Sequence, residues 1–191
     1  METPKTFKEL FDFYHSYVRL LYSEVQTHNW LPQETLFEIN AAFDHISRHW
    51  AFDHDEASEV EKAFSHLKRS CLDIFKLKVK ETIDKYRELQ RIDTSLIDNG
   101  EYERRMREAI HLIRHESKLA RREDAQSIDE EAPAFPRWDK VYAHCVAFEE
   151  QFYLNKSLDW ARKKSRIFTW KTFLLGIAGS LIAGLLLGLL L

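Results

Sequence analysis

The sequence predicts an all-α protein: a cytoplasmic bundle of about five helices carrying one C-terminal transmembrane helix. Three observations lead there. Between residues 1 and 172 only Gly100, Pro4, Pro32, Pro133 and Pro136 punctuate the chain, and no alternating apolar and polar run lies between turn signals. Apolar residues recur at helical spacing in the long segments between those marks. Hydrophobic residues form 45% of the chain although mean hydropathy is −0.44, so they must be concentrated somewhere. They are: residues 173 to 191 carry no charge and one polar side chain, Ser180.

Phe7, Leu10, Phe11, Tyr14, Val18 and Leu21 predict a first helix from Thr6 to Gln26. A second starts near Pro32 and carries Leu36, Ile39, Phe43 and Ile46 to Trp50. A third starts near Asp55 and runs through Val60, Phe64, Leu67, Cys71, Ile74 and Phe75 as far as Ile92. Asn99-Gly100 reads as a helix cap and turn, and a fourth helix covers Glu101 to Gln126. The bundle is thus read as residues 1–126. SIDEEAPAFPR, residues 127–137, reads as an acidic linker, residues 138–172 as a long helix with a basic flank, and residues 173–191 as the span. From Trp138 to Gly176 there is neither proline nor glycine. A single helix can therefore enter the bilayer from the bundle, with a break near Lys163–Thr169 as the alternative.

The apolar run is about 28 Å long as a helix, close to the hydrocarbon thickness of a bilayer. Arg162, Lys163, Lys164, Arg166 and Lys171 precede it, and Trp170 sits at the interfacial position. The positive-inside rule places the bundle in the cytoplasm of a bacterial cell, anchored to the inner membrane by a single-pass tail. Four of the five glycines lie in the tail, and Gly176, Ser180, Gly184 and Gly188 recur every fourth residue. Small residues in that register let helix backbones approach closely in lipid, so the expected partners are the membrane and further copies of the chain. Several packed spans can enclose a narrow hydrophobic constriction.

The fourth helix places Arg104, Arg107, His111, Arg114, Lys118 and Arg121 on one face, with Arg122 beside them. A line of guanidinium groups suits phosphate contacts, so a nucleotide or oligonucleotide is the expected ligand; pairing with the acidic linker or another subunit is the alternative. Net charge is −3, which argues against a generally basic nucleic-acid protein. Nine histidines include His45 and His49 one turn apart, a spacing that can hold zinc. The glutamate of an HExxH motif is absent and no cysteine is near, so neither metal nor cofactor is expected. Cys71 and Cys145 are far apart and form no metal motif.

Arg48-HWAFD-His54, Arg105-MREAI-His111 and Arg137-WDKVYA-His144 match the R-x(4–6)-H pattern, and in these segments the chain resembles HEPN domains. The resemblance implies a small helical bundle and, in many members, a metal-independent ribonuclease in which the arginine stabilises phosphate charge and the histidine transfers protons. The whole architecture is also similar to small membrane effectors of bacterial antiphage systems, which act beside a nucleotidyltransferase or a CRISPR effector. The leading expectation is therefore a non-enzymatic, oligomeric membrane effector of abortive infection, a ligand-controlled pore or channel. A tethered HEPN ribonuclease and a tail-anchored adaptor are the competing expectations.

Overall fold

Thr6 opens the first helix by accepting a hydrogen bond from the Glu9 backbone N–H at 3.3 Å. This and all that follows is read from a computed structural model, which describes residues 3–26, 32–95, 97–126 and 134–190; the side chains of 165–169 and 183–190 lie outside the description. The helices are α1 (Phe7–Phe13), α2 (Arg19–Val25), α3 (Gln33–Phe52), α4 (Glu56–Leu89), α5 (Glu101–Gln126), α6 (Phe135–Phe148) and α7 (Lys156–Leu190). No strand occurs among the described residues, and the chain is all-α.

α1 and α2 form one rod joined by a π-helical turn, Tyr14–Val18. α3 ends at Asp53, whose φ of 59° is left-handed, and Asp55 then caps α4 by accepting from the Ser58 N–H at 2.9 Å. α4 is the central strut. At 34 residues it is about 51 Å long. It buries Val60, Phe64, Leu67, Ile74 and Phe75 among its neighbours α1, α2, α3, α5 and α6. The turn at Asp98–Gly100, with φ of 52° at Asn99 and 87° at Gly100, reverses the chain into α5.

Two sequence-based boundaries need correction. Residues 135 to 137 are the first turn of α6, not linker, and Pro136 fits there because that turn needs no N–H from it. Phe135, Trp138, Val141 and Phe148 are buried, so α6 completes the core. Residues 127–133 of the expected linker lie outside the described residues. The continuous helix from Trp138 onward is also interrupted. After Phe148 comes a second π-helical turn, Glu149–Tyr153, and at Leu154 (φ −89°, ψ 8°) the helix ends. Asn155 restarts it by accepting from the Ser157 N–H at 2.9 Å. The break thus falls at Leu154–Asn155, ahead of the Lys163–Thr169 alternative.

α7 docks through Leu158 and Ala161, both fully buried, and no described side chain beyond Arg162 is buried. Among the described residues no helix is long and apolar enough to cross a membrane. The described side chains of α7 end at Ile182, so Gly184, Gly188 and the last leucines of the expected span lie outside that test.

Candidate functional site

α5 presents the expected basic face, but its two halves differ. Tyr102, Met106, Ile110, Ile113 and Ala120 point into the core, which leaves Arg104, Arg107, His111, Arg114, Lys118, Arg121 and Arg122 exposed. At the N-terminal end Arg104 forks onto Glu101 (Nε to Oε2, 2.9 Å) and reaches Glu108 at 2.5 Å. Arg107 donates to Glu103, and Arg105 reaches Asp98 at 3.3 Å. Glu101 and Glu108 push the Arg104 pKa up, and the Arg104 guanidinium lowers that of Glu101. Glu108 is not on the basic face itself, but one helical turn lets it reach back to Arg104. The shallow depression here, about 300 Å³ and lined by Gly100, Glu103, Arg107 and His111 among others, contains its own carboxylates. An added anion would have to displace them.

Among the described residues the C-terminal half shows no such neutralisation. Arg114 lies over the Tyr86 ring, 5.6 Å from its centroid. Lys118, Arg121 and Arg122 are exposed and make no ion pair among the described residues. Three acids of α5 turn toward α6 instead. Glu116 and Glu123 both accept from Arg137 at 2.8 Å, and Asp124 accepts from the Trp138 indole at 2.8 Å. This clamp fixes α6 on α5, raises the Arg137 pKa through Glu123 and then Glu116, and takes those two acids away from Lys118, Arg121 and Arg122.

A second polar cluster joins α3 to α4. Glu59 is buried, and its Oε1 accepts from Lys62 at 2.9 Å while Oε2 meets His45 Nδ1 at 2.7 Å. His54 Nδ1 lies 3.3 Å from the same carboxylate. Lys62, then His45, hold the Glu59 pKa down to about 2 against the opposing effect of burial. His66 Nδ1 meets Glu38 at 2.7 Å, and its ring stacks on His45 with centroids 5.2 Å apart. Each imidazole is thus oriented by a carboxylate through Nδ1. His49 Nδ1 bonds the His54 carbonyl oxygen at 2.7 Å. No group of three His, Cys, Asp or Glu among the described residues could hold a metal ion.

The three arginine–histidine pairs are not brought together by hydrogen bonds or ion pairs. Arg48 pairs with Asp44 at 2.6 Å while His54 turns to Glu59. Arg105 and His111 are six residues apart on one helix, a rotation of roughly 600°, which puts them on different faces. Arg137 is taken by the clamp, and His144 is exposed further along α6. Sequence reasoning missed Glu59, Glu38, His66 and Lys62. The available signal was Glu59 itself, a carboxylate one residue before Val60 on the apolar stripe of α4.

In the tail, Ser180 donates to the Gly176 carbonyl oxygen at 2.9 Å, so its hydroxyl is satisfied within the helix. A methyl group at Gly176 or Gly179 would meet nothing within 4 Å, so packing inside this chain does not require glycine there. Comparisons with protein families, with curated proteins and with solved structures find no match.

Proposed function

We propose that this protein is a membrane-tethered helical effector that self-associates in the bilayer and is controlled by a polyanion held at the end of α5. The observation that carries the reading is the course of α7. It leaves the bundle at Leu158, passes a basic collar of Arg162, Lys163 and Lys164, and continues without a break into the uncharged residues 173 to 190. That order of buried dock, positive collar, Trp170 and apolar helix is the one a single-pass anchor needs. Glycines at 176 and 179 without a packing role inside the chain fit a surface reserved for a neighbouring helix in lipid. A nucleotide or oligonucleotide is the ligand class, and Arg114, Lys118, Arg121 and Arg122 are its contacts. His111 stands one turn before them, while Arg104 and Arg107 serve the fold. Assembly of the spans would disrupt the inner membrane, an outcome suited to antiviral abortive infection in concert with a nucleotidyltransferase or a CRISPR effector.

The test is fractionation and membrane potential in a bacterial host. The full chain is expected in the membrane pellet after alkaline extraction, with depolarisation on overexpression. A chain ending at Lys171 is expected in the supernatant without depolarisation. Release of the full chain by alkaline carbonate would overturn the reading.

A further inference from the structure

Between α1 and α3 lies an apolar cavity of about 220 Å³. Leu10, Ala42 and Leu67, all buried, form its floor, and Tyr14 and Ile46 its walls. Phe11, Phe43 and His15, all exposed, set its mouth. Helix packing leaves few voids larger than a water molecule, so a space of this size is a feature to be explained. Ala42 is the small side chain in its lining. At the same place α1 gives way to the π-helical turn Tyr14–Val18, a widened turn of the kind that recurs at functional sites. Only Tyr14 and His15 bring polar side-chain atoms to the lining. Tyr14 meets the Phe43 ring edge-on at 6.3 Å and the His15 ring edge-on at 5.3 Å. Neither the Tyr14 hydroxyl nor the His15 imidazole makes a hydrogen bond among the described residues.

We infer that this cavity binds a free, single-chain fatty acid, its tail inside and its carboxylate on Tyr14 and His15 at the mouth. The floor and walls offer water few hydrogen bonds, so the interior suits an apolar guest. A dry apolar cavity of roughly 150 Å³ takes a benzene ring, so by proportion this one takes a chain of about nine carbons. The mouth asks for something different. A phenol O–H and an imidazole N–H both donate, and a carboxylate accepts from both. The molecule that matches both regions is therefore a short amphiphile with an acceptor head. The surrounding charges admit an anion: Asp12 is paired with Lys8 at 3.7 Å and Asp44 with Arg48 at 2.6 Å, while Arg19, four residues beyond His15, is exposed. A bilayer phospholipid matches less well, because its acyl carboxyls are esterified and its second chain has no room in this volume. The site is separate from the α5 face and does not depend on the tail entering a bilayer.

The experiment uses the purified full chain in phospholipid nanodiscs and a decanoic acid carrying a diazirine near its methyl end. Illumination is expected to label the cavity segments 10–15 and 42–46, located by mass spectrometry of the digested protein. At equal free concentration, unlabelled decanoate is expected to compete about tenfold better than decanol, the scale of one hydrogen bond to a charged group. Tyr14→Phe with His15→Ala is expected to erase that preference and keep the labelled site. Ala42→Leu, and the larger Ala42→Phe, are expected to remove labelling from both segments, with a thermal melt checking the fold. Labelling confined to the tail overturns the inference, as does labelling undiminished in a folded Ala42→Leu protein. Equal competition by acid and alcohol in the parent chain, where no substitution can disturb the fold, overturns it too. Labelling of the same segments by a diazirine-bearing phosphatidylcholine would assign the cavity to bilayer lipid and equally overturn it.

Discussion

Tyr102 donates its hydroxyl hydrogen to the carbonyl oxygen of Phe152 at 2.5 Å, joining the first turn of α5 to the π-helical turn that follows α6. Both partners are buried. Tyr102→Phe keeps the ring and leaves that carbonyl without its donor, at a cost of about 1–2 kcal/mol. For a chain of this size the melting temperature should fall by about 2–4 °C per kcal/mol. Calorimetry or circular dichroism measures it, and an unchanged melt would mean the bond contributes nothing net.

Glu59 gives the fold a defined acid response. Its folded pKa of about 2 lies below its ordinary 4.5, so the carboxylate stabilises the fold fully above pH 4.5 and loses that contribution as pH falls toward 2. Glu59→Gln should lower stability at neutral pH, because Lys62 loses its counter-charge inside the bundle, and should flatten the acid limb in that window. Urea titrations at pH 7, 4 and 2.5 measure both, and parallel acid limbs in the two proteins would refute the assignment.

The two halves of the α5 face separate by mutation. Arg114→Glu with Arg121→Glu should abolish binding of a labelled oligonucleotide. Arg104→Gln with Arg107→Gln should change it little, since those guanidinium groups already hold Glu101, Glu103 and Glu108. Each lost phosphate contact should reduce the salt dependence of log K by about 0.7 for a single strand. Equal loss from both double variants would restore the whole stripe as the site.

The purified protein should leave RNA intact, with or without chelator. His54→Ala, His111→Ala and His144→Ala should therefore be indistinguishable from the parent in a cleavage assay. Metal-independent cleavage abolished by one of the three would replace the effector reading with a ribonuclease.

In membranes, Gly184→Leu with Gly188→Leu should leave insertion intact and weaken association of the spans. Crosslinking between tail positions reads this directly, and an unchanged oligomer distribution would remove the small-residue ridge from the assembly.

The helical period and the punctuation were enough to read most of the bundle from sequence. α5 runs over the residues its apolar spacing predicted, and α3 and α4 begin and end within a few of theirs. What was not legible depended on partners far along the chain. Pro136 looked like a linker residue because its tolerance in a first helical turn is local, whereas the burial of Trp138 and Phe148 that makes α6 core depends on α4 and α5. The break at Leu154–Asn155 follows a π-helical turn held by Glu149, which Lys78 and Lys85 reach from α4. Burial pushes the Glu149 carboxyl up, and those two ammonium groups outweigh it and bring it below its usual range. No local pattern announces such a turn. The basic stripe was visible as a row of positions, but its division into a neutralised half and an open half is a matter of side-chain reach. Glu59 was passed over because an acid beside an apolar stripe reads as solvated until the opposite helix supplies His45.

The interruption at Leu154–Asn155 changes what the tail can report. A continuous rod would act as a drive shaft, passing every rotation of the bundle to the bilayer. α7 instead hangs from a joint, gripped by Leu158 and Ala161 and steadied where Arg162 lies over the Tyr153 ring, 5.8 Å from its centroid. The direction α7 takes from the bundle is therefore set by one small socket. Whatever alters that socket re-aims the whole tail without unwinding a single turn of it.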